Sequence, residues 1–194
     1  DPKSGKPMQI VGYQNIDELT QTVAPFTFEC RKSDVLDLPP KMFKKSHVAL
    51  TREQRVLYDK VKKEQSYEWA GAEVTIENVL GLALRLHQIA GGYVTTYEEV
   101  VGPNGKIKKI PHVHEIIAWD KNPKILDMLD YAADMKPMII WCAYRAEIAA
   151  CVAALKETFP NVGVGEIHGG ISEAERNKTK DDFQAGRIMF LVGN

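Results

Sequence analysis

The stretch from Lys136 to Asn194 constrains the fold more than any other, because it alternates short apolar runs with helical periods. Met138-Ile139-Ile140-Trp141-Cys142 is an apolar run of strand length, suited to burial on both faces. A helix follows from Arg145 to Phe159, with Ile148, Val152, Leu155 and Phe159 along one side, and Pro160-Asn161 stops it. Val162 to Ile167 reads as a second strand and leads into His168-Gly169-Gly170. Ser172, with Glu175 three residues on, opens another helix by a capping box. Gly186 closes that helix, and Ile188-Met189-Phe190-Leu191-Val192 is a third strand. Strands alternating with helices of this length predict an α/β fold, with parallel strands joined by right-handed crossovers. Ligands meet such sheets at the carboxyl ends of the strands. Here those ends carry Ala143-Tyr144-Arg145, His168-Gly169-Gly170 and Gly193-Asn194.

The 194 residues, 44% of them hydrophobic, suffice for one domain with an appendage or for two small ones. A formal net charge of −1 excludes an overall basic field of the kind that advertises nucleic acid, though local basic patches remain open. The three cysteines, Cys30, Cys142 and Cys151, are an odd number without metal spacing, and the last two lie in apolar surroundings. That usage fits reduced cysteine in a cytoplasmic core. No run approaches a membrane span, and no signal peptide opens the sequence. A start at Asp1 rather than Met suggests an excised fragment.

Ahead of the tail, residues 1–26 read as a polar linker and a short helix from Ile16 to Val23, with Asn15 as its N-cap and Pro25 ending it. Phe26-Thr27-Phe28-Glu29-Cys30 alternates like a strand, and Ser46 to Leu50 is a second candidate strand. Thr51 and Gln54 form a capping box, behind which a helix turns Leu57, Val61 and Tyr67 inward and Lys60, Lys62 and Lys63 outward. Thr75 to Ala90 reads as a helix apolar nearly all round, hence buried on most sides, with Arg85 and Gln88 as a narrow polar edge. Gly91-Gly92 stops it. Tyr93–Val101 and Lys106–His114 flank Pro103-Asn104-Gly105, a β-hairpin signal. Asn122-Pro123 starts a helix whose buried face is Ile125, Leu126, Leu129, Ala133 and Met135. The organisation is then a strand, helical protrusion and hairpin over 27–122, followed by the parallel-sheet domain over 123–194.

Chemistry concentrates at few points. The two glycines after His168 let backbone approach a ligand, and the next helix offers free N–H groups, its positive dipole end and Arg176, a set suited to a phosphate. On local pattern alone the plainer reading is favoured: a solvated polar helix behind a tight turn. Gly163, Gly165 and Gly169 do not make a dinucleotide fingerprint, since the first two begin a strand rather than follow one. Tyr144-Arg145 fits either a grip on a nucleic-acid backbone or ordinary packing at a helix start. His112 and His114 share a strand face, more in keeping with a wet hairpin than a metal site. Lysines 41, 44, 45, 106, 108 and 109 read as solvated, with a phosphate groove as the alternative. The sequence shows no catalytic dyad or triad, no Gly-rich loop ending in Lys-Ser or Lys-Thr, and no acidic metal-binding run after a strand.

These stretches, taken in order, resemble the Swi/Snf-type branch of superfamily two helicases, particularly phage- and prophage-encoded members. The resemblance is carried by Phe28 to Lys41, ending Leu38-Pro39-Pro40-Lys41; by Leu50-Thr51-Arg52-Glu53-Gln54-Arg55-Val56-Leu57-Tyr58; by Leu84-Arg85-Leu86-His87-Gln88-Ile89; and by Ile139 to Cys142 with His168-Gly169-Gly170 through Arg176 to Phe183, then Phe190-Leu191-Val192. It implies a partial RecA-like parallel sheet with flanking helices, preceded by a helical protrusion and a β-hairpin. Full-length relatives are ATP-driven translocases on double-stranded DNA, with ATP and Mg²⁺ held between two lobes. Residue by residue, the resemblance gives Ala143, Tyr144, Arg145, His168, Gly169 and Gly170 to the DNA backbone, and Arg176 to a structural or phosphate-facing role. It also implies an N-terminal RecA-like lobe as partner, no membrane, and no cofactor on this fragment alone, which lacks the parts phosphoryl transfer needs and is expected to be inactive by itself. Glu29-Cys30 stands where the family has paired arginines, and Ala90-Gly91-Gly92 where it has a Cys-containing end. The rival is a non-catalytic interaction module whose protrusion and hairpin bind a protein. A small-molecule α/β enzyme would need an acid–base or nucleophilic constellation that is not visible.

Overall fold

The computed structural model describes residues 12–102 and 104–194, and contacts divide the chain into two units, Asp1–Lys45 and Ser46–Asn194. In the first unit, α1 (Ile16–Val23) forms where the sequence puts it, but Asn15 caps it in the left-handed region at φ 57° without a side-chain hydrogen bond. A 3-10 turn, Ala24–Phe26, takes in Pro25, and α2 (Lys32–Val35) is a single turn. The strand expected at Phe26–Cys30 is absent. Its alternating Phe26 and Phe28 are 89% and 92% exposed, and alternation forms a strand only where a neighbour pairs with it.

The second unit begins without the strand expected at Ser46–Leu50, whose residues take no regular secondary structure. The Thr51–Gln54 capping box forms and starts α3 (Arg52–Glu64). Next comes a hairpin that the helical reading missed, β1 (Ser66–Trp69) paired antiparallel with β2 (Ala72–Thr75). Tyr67 is buried from this strand and not from a helix. Helix α4 (Val79–Gly91) therefore starts at the Asn78 cap rather than at Thr75, and ends at Gly92, whose φ of 98° suits a residue without Cβ. Its expected burial on most sides is corrected by the structure: Ile89 and Gly91 are buried, while Val79 and Leu80 are 84% and 72% exposed. The helix packs on α3 and on the start of the next strand, and neither covers its first turns. Val61, Tyr67, Val74, Ile76, Ile89 and Val94 form the core of this half.

The Asn-Gly hairpin forms as β3 (Tyr93–Val101) and β4 (Ile107–Glu115), with Tyr93 opposite Glu115 and Val101 opposite Ile107. Asn122 then caps α5 (Pro123–Ala132), whose buried side is Ile125 and Ala132 with Met128 and Leu129 half-buried. Ala133 and Met135, expected to be buried, lie beyond the helix and are exposed. The tail gives β5 (Met138–Trp141), α6 (Arg145–Thr158), β6 (Val164–Ile167), α7 (Glu173–Gln184) and β7 (Phe190–Gly193). The three strands are parallel in the order β5-β7-β6, so the last strand inserts between the first two. This makes β7 the strand buried on both faces. β5 lies at the edge, with Ile139 and Trp141 50% and 75% exposed, against the expectation for that run. Helix α6 buries Ile148, Cys151, Val152 and Leu155 with Phe190 and Val192. On the sheet's other side Thr179 of α7 lies over Gly165. The architecture is α/β: a partial RecA-like parallel sheet with flanking helices, preceded by helices and antiparallel hairpins.

Candidate nucleic-acid interface

The carboxyl edge of the parallel sheet is knit by backbone bonds that continue past the strands: Cys142 N–H donates to Gly193 O at 2.8 Å, and Asn194 N–H to Ile167 O at 3.3 Å. These fix the first residues of the loops after β5 and β6. Ala143-Tyr144 then turns into α6. Both of its backbone N–H groups donate to Glu147 Oε2, at 2.9 and 3.2 Å, so a buried carboxylate one turn into the helix holds the loop. Lys124 Nζ donates to the other oxygen at 2.7 Å.

Tyr144 is half-buried. Its hydroxyl donates to Leu84 O at 3.3 Å and lies 3.3 Å from His87 Nδ1, and the two rings tilt at 58° with centroids 5.3 Å apart. Burial raises its phenol above the ordinary value. The aromatic face therefore docks on α4, and the exposed cation beside it is Arg145.

Arg145 and His168, 23 residues apart, come together across the edge, with Nη2 3.3 Å from Nδ1. Gly170 N–H donates to the same Nδ1 at 2.9 Å. Two donors converging on Nδ1 make it the acceptor, which places the neutral ring's proton on Nε2, facing Glu166 at 3.9 Å. Gly170 lets Arg145 lie close: a Cβ there would push the Arg145 guanidinium aside and meet His168 Cε1 at 3.0 Å. Gly169 is exposed with nothing within 4 Å of its would-be Cβ.

At the start of α7, Ser172 and Glu175 close the capping box, with Ser172 N–H donating to Glu175 Oε2 at 3.0 Å and Glu175 N–H to Ser172 Oγ at 3.3 Å. The Ser172 hydroxyl, donating to Glu175 Oε2 at 2.7 Å, and then the Ser172 N–H lower the Glu175 carboxyl below its usual range, so a carboxylate stands at this helix mouth. Arg176 projects as an exposed residue of the same turn.

A groove of about 310 Å³ adjoins Ala143, Tyr144 and Arg145, its other wall being Gln88, Tyr93 and Thr95, with Asn194 at the sheet end. Tyr93 and Thr95 do not stand out in the sequence as site residues. Only their alternation on one strand face hints at them. His112 and His114 face Glu98 at 3.1 Å and Thr96 at 2.8 Å, each across the hairpin. Among the described residues, no three ligating side chains come together as a metal site. Lysines 106, 108 and 109 are exposed, Lys109 pairing with Glu99 at 3.3 Å. No helix among the described residues is long and apolar enough to cross a membrane.

Residues 120–193 match the family model described as helicase conserved C-terminal domain. No curated protein matches the chain. Among solved structures, the Sulfolobus solfataricus SWI2/SNF2 ATPase core in complex with dsDNA is similar at 17% identity and a TM-score of 0.51, over 92% of this chain and 36% of that one. The Sulfolobus solfataricus SWI2/SNF2 ATPase C-terminal domain is similar at 15% identity and a TM-score of 0.45, over 75% of this chain and 59% of that one. The chain thus spans about a third of the first and under two thirds of the second, and likeness at these identities speaks to the fold alone.

Proposed function

We propose that this chain supplies part of the C-terminal lobe of an ATP-dependent, Swi/Snf-type translocase on double-stranded DNA, and that it works in the cytoplasm against an N-terminal RecA-like lobe. Its own contribution is to grip the DNA backbone with the loops after β5 and β6. The observation that carries this reading is the meeting of Arg145 with His168 and Gly170 at the carboxyl edge of the parallel sheet. The match of residues 120–193 to a helicase C-terminal domain supports it, as does the complex of one similar structure with double-stranded DNA.

In this reading Arg145 is the phosphate contact, and His168 is the side chain that aims it. Ala143 and Gly169 expose backbone beside it, and Arg176 stands one loop further along. Tyr144 anchors the loop to α4 rather than stacking on a base. In the two-lobed parent the chain would also contribute part of the inter-lobe cleft for ATP and Mg²⁺; alone it is expected to hold neither. The sequence has no Gly-rich loop ending in Lys-Ser or Lys-Thr, and the described residues gather no set of metal ligands. On this reading the chain alone is inactive, and no step of the ATP reaction is assigned to it.

The test is binding to a short DNA duplex, followed by fluorescence anisotropy across a salt series. Affinity should fall steeply as salt rises, and Arg145→Ala should weaken it and lower the salt slope by about 1. His168→Ala should weaken it in the same direction. Unchanged binding in both variants would remove the site assignment, and DNA-stimulated ATP turnover by this chain would overturn its inactivity.

A further inference from the structure

Where the carboxyl end of β5 faces α6, the sulfurs of Cys142 and Cys151 lie 3.9 Å apart. That is the length of a weak thiol–thiol hydrogen bond, about 2 Å longer than a disulfide bond. The two thiols differ in access. Cys151 is buried in the core between α6 and β7. Cys142 is half-buried and opens with it onto a cavity of about 100 Å³, lined also by Lys124, Met128, Trp141 and Glu147.

They differ in acidity too. The hydrogen bond they share lowers Cys142 below the ordinary thiol value, outweighing burial and the Glu147 carboxylate, and raises Cys151. An accessible, readily ionised thiol beside a sheltered one is the arrangement that stepwise thiol–disulfide exchange requires. Cys30, by contrast, is exposed and belongs to the first unit.

We propose that Cys142 and Cys151 are a reversible dithiol pair, with Cys142 the attacking thiol and Cys151 the resolving one, oxidised by a low-molecular-weight disulfide such as glutathione disulfide. The Cys142 thiolate attacks one glutathione sulfur, forming a mixed disulfide and expelling one glutathione thiolate. Cys151 then loses its proton and attacks the Cys142 sulfur, and the second glutathione leaves. The protein pair gives up two electrons and two protons, and the oxidant is reduced to two glutathione thiols. The bond ties the end of β5 to the second turn of α6, directly beneath Ala143-Tyr144-Arg145. It does not depend on what that loop binds.

The experiment uses the folded 194-residue chain carrying Cys30→Ser, treated with oxidised glutathione, blocked with iodoacetamide and digested with trypsin. Arg145 lies between the two cysteines, so trypsin puts them on separate peptides, 125–145 and 146–156. The expected product is these two peptides linked, lighter by two hydrogens than their sum, with both alkylatable thiols lost and both restored by dithiothreitol. In Cys151→Ser the reaction should stop at a glutathione adduct on Cys142. Four results would overturn the proposal. They are full alkylation of both thiols, a glutathione adduct that persists on Cys142 while Cys151 is present, a disulfide between chains, and linkage only after unfolding in urea.

Discussion

The carboxylate of Glu147 lies 2.7 Å from the ammonium of Lys124, which joins the first turns of α5 and α6. Side-chain exposure is 6% for Glu147 and 49% for Lys124, so the acid is the buried partner. The same acid holds the Ala143 and Tyr144 N–H groups. Glu147→Gln keeps an acceptor for them but turns an amide toward Lys124, at a cost of about 1 kcal/mol. Glu147→Ala leaves those donors unpaired and should cost about 2–3 kcal/mol. Urea denaturation measures both. A loss for Glu147→Ala no larger than for the exposed Glu157→Ala would show that the carboxylate holds nothing.

Gln54 is the corresponding anchor in the other half of the second unit. It is 1% exposed, and its Nε2 donates to Ile89 O and Ala90 O at 3.1 and 3.2 Å. Those are carbonyls of the last turn of α4, beyond the reach of the i→i−4 ladder; Ile89 O also accepts from Gly92 N–H at 3.0 Å. Gln54→Ala should cost about 1–3 kcal/mol, since Ala90 O loses the Gln54 amide and Ile89 O keeps the Gly92 N–H alone. Gln54→Glu should be as costly or worse at neutral pH, because a carboxylate would face the two carbonyls, and should recover as the pH falls and the acid protonates. Equal stability of Gln54→Glu at neutral and acid pH would contradict this.

These two anchors mark what the sequence concealed. The parallel strands were legible because apolar runs were bracketed by caps, Gly186 and Pro160. The hairpin from Tyr93 was legible from Asn104-Gly105, and the boxes at Thr51 and Ser172 formed as read. The β1–β2 hairpin was not, because Ala70 takes the left-handed turn position at φ 51°, where glycine or asparagine would have signalled it. Val79 and Trp141 were misread for a different reason. Apolar character shows what a residue would bury against, but not whether a neighbour is there. At the candidate interface the loops were legible, but the pairing of Arg145 with His168 was not, since it depends on β7 lying between β5 and β6. Glu147 carried no signal because the cap three residues before it is Tyr144, not Ser or Thr.

Asp182 gives the clearest pH dependence. Its hydrogen bonds to Arg187 and then to Lys178 hold its carboxyl below the usual range. Its backbone carbonyl accepts from Arg187 and Ile188 N–H at 2.9 and 3.2 Å, so it also ties off the end of α7. The folded value lies below the unfolded one, so folding releases protons between them. The stabilisation is fully present above the unfolded value, about 3.9, and is lost as the pH falls through the folded value. The protection of the Arg187 and Ile188 amides, measured against the intrinsic exchange rate at each pH, should therefore fall on acidification below about 4. Asp182→Asn should flatten that dependence, and an unaltered acid limb in the variant would assign it to another group.

Gly169 and Gly170 are neighbours in sequence with opposite sensitivities. A Cβ at Gly170 displaces the Arg145 guanidinium, whereas at Gly169 it meets nothing within 4 Å. Neither has the positive φ that would strain an alanine, and the displaced group is the far end of a flexible chain. Both Gly169→Ala and Gly170→Ala should therefore stay within about 0.5 kcal/mol of the parent in stability. Duplex-DNA affinity should separate them. Gly170→Ala should bind several-fold more weakly with a shallower salt dependence, because Arg145 no longer rests on His168, while Gly169→Ala should bind like the parent. Equal affinity in the two variants, with both folded, would mean that the position of Arg145 is immaterial to the grip.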